Sequence, residues 1–188
     1  EESTAVVEAV AGVPIELSVK WKTAAGNGFA ALRIGVRTPD PDDLFEQAVA
    51  AAAAADVAVV VVGTNDEWET EGFDRDVMDL PGDQDELVEA VVAANPNTVV
   101  IVNAGSPVTM DWVGEDHPNP APAVVTSFFA GQEQAEALVD VLFGVADPGG
   151  RLPITYPRRL ADHAAFGHHE PQRPADGPPQ QRYKEGLF

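Results

Sequence analysis

The chain has 188 residues, 45% of them hydrophobic and 22% charged, which places it in the globular range with room for one ordinary domain and a real core. Its formal net charge of -20, from 31 acidic against 11 basic residues, repels nucleic acid and anionic membranes and argues against both as partners; such acidity by itself mainly favours solubility. There is no cysteine, which excludes a disulfide framework and a thiolate zinc site, and no apolar run approaches the roughly 20 residues a spanning helix needs.

No N-terminal basic region precedes an apolar core, so no signal peptide is expected. The chain begins at Glu1 in mid-pattern and ends at Leu187-Phe188 just after a turn-like Glu185-Gly186, so it is expected to be a piece of a larger protein. Residues 1–38 have period-two character. Ile15, Leu17, Val19 and Trp21 alternate with polar residues, Leu32, Ile34 and Val36 do the same, and Ala24 to Gly28 is a turn signal. This pattern predicts a half-exposed antiparallel hairpin, the end of a β-rich module, with a domain boundary at Thr38-Pro39-Asp40-Pro41.

From Asp42 the period changes. Asp42 and Asp43 predict a capped helix start, followed by an Ala-rich helix from Leu44 to Ala55. The apolar run 57–62 predicts a strand buried on both faces. A loop crowded with acids follows: Asp66, Glu67, Glu69, Glu71, Asp74, Asp76 and Asp79. Gly82-Asp83 opens a second helix carrying Leu87, Val88, Val91 and Val92, and Asn95-Pro96-Asn97 ends it. Thr98 to Val102 and Ala123 to Phe128 predict two more buried strands, with a short helix over 108–113 between them. A third helix after Gly131 presents Ala135, Leu138, Val139 and Leu142 on one face. Leu152 to Tyr156 is a short extended piece, and 163–188 an extended wrapping loop.

Strand and helix alternation of this kind predicts an α/β fold: a doubly wound, mostly parallel sheet sandwiched by helices, over 39–162. Its strand-exit loops, at 63–80, 103–107 and 129–132, then share one edge, where open α/β sheets bind ligands.

The loop after the first strand is the strongest site candidate. An ordinary surface turn is small and polar, whereas this one holds Trp68 and Phe73 among carboxylates, with Arg75 as a lone cation. A carboxylic acid beside an apolar wall or another negative charge can serve as a general acid near neutral pH. Glu69, Glu71 and Asp74 are the candidates, and Arg75 is placed to pair with Asp74. The bland alternative is a solvated acidic surface. Asn103 to Pro107 reads as an ordinary strand-to-helix turn before it reads as a source of ligand contacts, and Phe128, Phe129 and Gln132 as packing and capping residues. His163, His168 and His169 have no carboxylate at ligand spacing, so no metal is expected. No Gly-x-Gly-x-x-Gly or phosphate loop follows a strand, and there is no Gly-x-Ser-x-Gly elbow, which disfavours nucleotide binding and esterase chemistry. No cofactor is implied.

Several of these segments, in this order, resemble the C-terminal sandwich domain of glycoside hydrolase family 3. They are Val59-Val60-Val61-Val62-Gly63, Glu69-Thr70-Glu71-Gly72-Phe73-Asp74-Arg75, and Met78-Asp79-Leu80-Pro81. Asn95 to Thr98, Val102 to Val108, Phe129 to Gly131, Ala137 to Gly144 and Pro148 to Pro157 continue the match. Residues 1–38 more weakly resemble the last hairpin of a PA14-type module that some members carry. The resemblance implies a retaining, exo-acting β-glycosidase, most often a β-glucosidase. Such chemistry uses two carboxylates about 5–5.5 Å apart, one nucleophile and one acid/base. The family's nucleophile is an Asp of a preceding barrel domain; no Ser-Asp-Trp or Thr-Asp-Trp of the kind that carries it occurs in this chain. The acid/base implied here is Glu71, by its place before Gly-x-Asp-Arg, with Glu69 as runner-up. Trp68 and Phe73 are implied as substrate-binding residues, and Asp74 and Arg75 as the pair that orients the loop. The implied partners are a β-glucoside or related oligosaccharide or aryl glycoside, and the barrel on the same precursor or another chain.

Other readings compete. A non-catalytic carbohydrate-binding or scaffolding α/β module would bind sugar whether or not the acidic loop is neutralised. A family member whose activity has decayed would keep the fold alone. A flavodoxin-like or response-regulator-like domain needs a Lys at a strand end, which the exit loops lack.

Overall fold

The structure, a computed structural model, describes residues 5–22, 32, 34–36, 39–72, 74–167 and 177–178. The chain divides into two compact units, Glu1–Asp40 and Pro41–Phe188. In the first unit no strand is formed among the described residues: Ile15, Leu17, Val19 and Trp21 are all about half exposed or more, and the turn expected at 24–28 lies outside the described residues. The hairpin predicted there is therefore absent from the described part.

The second unit runs α1 (Leu44–Ala54), β1 (Ala58–Gly63), α2 (Gln84–Ala94), β2 (Thr98–Asn103), β3 (Ala123–Thr126) and α3 (Gln134–Leu142), with 3-10 turns at Asp111–Val113 and Leu160–Asp162. The three strands form one parallel sheet in the order β1-β2-β3, with Val60 beside Val100 and Val100 beside Val124. The α/β architecture with a parallel sheet is as the alternation predicts. Parallel strands running the same way bring the exits of β1, β2 and β3 to one edge.

One face of the sheet is the core. Ala58, Val60 and Val62 of β1 and Val100 and Val102 of β2 meet Val88, Val91 and Val92 of α2, with Trp112 and Val108 closing the end. Each of these valines contributes roughly 1.5–3 kcal/mol by leaving water. The other face of β1 is open: Val59 is 49% and Val61 66% exposed. The expectation that this strand is buried on both faces is corrected. β1 is an edge strand whose helices pack on its Ala58–Val60–Val62 side, so its burial alternates.

Three local expectations also change. Asp43 makes no side-chain cap bond; its carboxylate accepts instead from Gln47 Nε2 at 2.8 Å. The helix expected over 108–113 shrinks to one 3-10 turn. Thr109 N donates to Met78 O at 2.9 Å and Thr109 Oγ1 to Asp79 Oδ1, which tie that stretch to the end of the acidic loop before a helix can start. On α3, Leu138 and Leu142 are half-buried while Ala135 and Val139 are exposed.

Candidate active site

The acidic loop leaves β1 at Gly63, and its first turn is built by Asn65. The Asn65 carbonyl accepts from the N–H groups of Trp68 at 3.1 Å and Glu69 at 2.8 Å, while its side-chain oxygen accepts from Glu67 N at 2.9 Å. Such an Asx turn needs no partner outside the loop. It brings Glu69 back over the sheet edge. The strand end below is clamped by Gln84 of α2, which accepts from Gly63 N at 2.7 Å and donates to Gly63 O at 3.0 Å.

Glu69 is half-buried, and both of its carboxylate oxygens accept hydrogen bonds. Its Oε1 accepts from Thr64 Oγ1 and from Gly105 N at 3.1 Å, and its Oε2 from Ser106 Oγ at 2.7 Å. Arg75, further along the loop, donates from Nη2 to Ser106 Oγ and to Pro107 O, both at 3.0 Å. The ion pair expected between Arg75 and Asp74 is not formed. Asp74 is exposed, and the guanidinium is turned inward to the exit loop of β2, where it donates to the part-buried carbonyl of Pro107.

Glu71 stands in contrast to Glu69. It is exposed, and among the described residues its side chain makes no hydrogen bond or ion pair. It lies in a turn with Gly72, whose φ of +89° is a conformation that side-chain-bearing residues rarely adopt. Trp68, Glu69, Thr70, Glu71, Asp74, Arg75 and Ser106 together line an open cavity of about 400 Å³. Trp68 is half-buried in its wall. Phe73, the other expected wall residue, lies outside the described residues.

Among the described residues, three buried polar atoms, Trp68 Nε1, Arg75 Nη1 and Tyr156 Oη, have no hydrogen-bond partner. Unsatisfied buried donors are uncommon in native folds. Tyr156 feels Glu69: burial first, and then the negative charge of Glu69, push its phenol above the ordinary tyrosine range. No group of three or more His, Asp or Glu that could hold a metal ion occurs among the described residues, and His168 and His169 lie outside them.

A second cavity of about 530 Å³ lies between α2 and the 3-10 turns, lined by Asp79, Asp85, Trp112, Arg158 and Phe166 among others. There Asp85 accepts from Trp112 Nε1 at 2.8 Å and from Leu80 N at 3.2 Å. Burial raises the Asp85 carboxyl above its ordinary value, opposed by those two hydrogen bonds.

The structure therefore brings Trp68, Glu69, Glu71, Asp74 and Arg75 to one cavity but gives the two glutamates different surroundings. Sequence reasoning missed Thr64, and it placed Gly105 and Ser106 on this edge but read 103–107 first as an ordinary turn; all three hold Glu69. The available signal was the predicted parallel sheet, which sets the exit of β2 beside that of β1.

The matched family model is the C-terminal domain of glycosyl hydrolase family 3, over residues 3–188. A β-glucosidase of Rhizobium radiobacter is 41% identical over 177 residues, which is 94% of this chain and 21% of that protein. The crystal structure of a Kluyveromyces marxianus β-glucosidase in complex with glucose superposes with a TM-score of 0.64 at 41% identity, covering 71% of this chain and 15% of that one. A Streptomyces venezuelae β-glucosidase in complex with D-glucose gives 0.61 at 37% identity, over 72% of this chain and 16% of the other. The chain thus spans about a fifth of the length of such relatives. On the family match and this identity, the chain belongs to the C-terminal domain family of glycosyl hydrolase family 3.

Proposed function

We propose that the chain is the C-terminal part of a retaining, exo-acting β-glycosidase, a β-glucosidase in the first instance, and that it supplies the acid/base carboxylate, Glu71. The relatives at about this level of identity are named β-glucosidases, and two of the similar solved structures are glucose complexes. The observation that carries the choice of residue is the contrast between the two glutamates: Glu71 faces the cavity uncommitted, whereas both oxygens of Glu69 are occupied by protein donors.

In this reading an Asp on a barrel domain outside these 188 residues attacks the anomeric carbon. Glu71 gives its proton to the glycosidic oxygen as the bond to the aglycone breaks, then takes a proton from the water that releases the sugar. The substrate is a β-glucoside or a related oligosaccharide or aryl glycoside. Trp68 and, by its place in the sequence, Phe73 contact it, and Arg75 orients the loop. Residues 1–38 end a PA14-like module, 39–162 form the sandwich domain, and 163–188 lead towards a further segment.

In the full-length protein, Glu71→Gln should lower kcat by about 100-fold or more on β-glucosides with poor leaving groups, and far less on those with good ones, as loss of general acid catalysis requires. Undiminished hydrolysis of poor-leaving-group substrates would remove Glu71 from the mechanism. Sugar binding that survives neutralisation of the loop, with no hydrolysis at all, would favour the non-catalytic binding module.

A further inference from the structure

Given Glu71 as acid/base, we propose that Glu69, Ser106 and Arg75 form a latch that positions Glu71, and that Glu69 is a positioning residue with no part in proton transfer. The latch closes the acidic loop onto the exit of the neighbouring strand at two points. Upstream of Glu71, Glu69 takes hydrogen bonds from Thr64 at the end of β1 and from Gly105 N and Ser106 Oγ after β2. Downstream, Arg75 reaches the same serine and the next carbonyl. A hydroxyl can donate one hydrogen bond while accepting another, so Ser106 serves both ends at once. Glu71 and the Gly72 turn lie between the two anchors.

The seat of Glu69 is also fixed sterically. A Cβ built on Gly105 would lie 3.0 Å from Glu69 Oε2 and 2.8 Å from Cε2 of Phe129, so only glycine lets the carboxylate and that ring close on the loop together. Among the described residues the Glu69 oxygens accept three hydrogen bonds from the protein, and bonds of this kind to a carboxylate are short and strongly directional. Three of the roughly four lone-pair sites of the carboxylate are thus taken by the protein, whereas Glu71 is uncommitted. The arrangement instead suits a fixed strut, and a displacement of about 1 Å in a reacting group is enough to lower a rate about 100-fold.

The test compares Ser106→Ala, Glu69→Gln and Glu71→Ala in the full-length enzyme. Each is assayed on aryl β-glucosides with good and poor leaving groups, with and without azide, and its thermal unfolding is followed. Ser106→Ala and Glu69→Gln should each lower kcat/KM about 10- to 100-fold on poor leaving groups and less on good ones, as displacement of a general acid requires, with no rescue by azide because the Glu71 carboxylate is still present. Glu71→Ala should lose poor-leaving-group activity selectively and be rescued. Azide rescue in Glu69→Gln, or a loss there as large and as selective for poor leaving groups as in Glu71→Ala, would overturn the positioning role. So would a Ser106→Ala enzyme with wild-type kcat/KM. If Glu69→Gln fails to fold, the smaller change at Ser106 decides the question. Full activity of Glu71→Ala on poor leaving groups would instead defeat the acid/base assignment, an outcome distinct from failure of the latch.

Discussion

Asn95 is 5% exposed, and every polar group of its side chain is used. Its Nδ2 donates to Ala52 O and Ala55 O at 2.9 Å each, and its Oδ1 accepts from Asn97 N at 2.8 Å. One amide thus satisfies carbonyls at the end of α1 and holds the turn into β2. Asn95→Ala removes these three hydrogen bonds, one of them to the carbonyl of the buried Ala52, and should cost about 1–3 kcal/mol, read from urea unfolding. At Gly72 the penalty is conformational. Nothing lies within 4 Å of an added Cβ, so Gly72→Ala meets only the strain of φ +89° and should cost about 1–2 kcal/mol. The sequence identifies Asn95 as a helix stop, through Asn-Pro, but its buried role depends on carbonyls some 40 residues upstream that no local pattern reveals. The site divides the same way. The motif nominates Glu71, whereas the engagement of Glu69 depends on a serine delivered after another strand, and the inward turn of Arg75 depends on the carbonyl of Pro107.

At the scale of elements, α2 and β2 are the best-read parts of the chain, because Val88, Val91 and Val92 repeat at helical spacing and Thr98 to Val102 is a continuous apolar run. Edge position is harder to read. Val59 and Val61 belong to an equally apolar run, yet they face outward because, among the described residues, the core packs on the Ala58–Val60–Val62 side of β1. The start of α2 is joined to the 3-10 turn by the bond from Trp112 to Asp85. Trp112→Phe removes that donor while keeping most of the apolar volume. Since the bond favours the ionised carboxylate, the variant should lose about 1.5 kcal/mol near neutral pH and less in acid, where Asp85 is protonated. The sign follows from the folded-state pKa being raised above 3.8, chiefly by burial. The ionised group costs stability above the folded pKa, and that cost fades as pH falls through it towards the unfolded value. Without Trp112 the cost near neutrality grows. Denaturant unfolding of both proteins at pH 7 and pH 4 checks the difference, and a loss that is equal at both would exclude a role for the ionised form.

For the molecule as a whole, a net charge of -20 means self-repulsion in the folded state. Salt screens it, with a Debye length falling to about 10 Å at 0.1 M. The urea midpoint should therefore rise between 20 and 200 mM sodium chloride, as these order-of-magnitude screening lengths imply, roughly doubling or tripling the screening. Few described ion pairs oppose this trend. Those of Arg158 with Asp116 and Arg159 with Asp162 lie at the surface, where pairs of this kind contribute little. Among the described residues no helix is long and apolar enough to cross a membrane. The central claim remains that Glu71 is the carboxylate this chain brings to a glycosidic bond. The most direct measurement is hydrolysis of an activated aryl β-glucoside by the full-length Glu71→Ala enzyme in the presence of azide. The account predicts that azide restores the rate and that β-glucosyl azide is the product. An unimpaired variant that ignores azide and forms only glucose would contradict it.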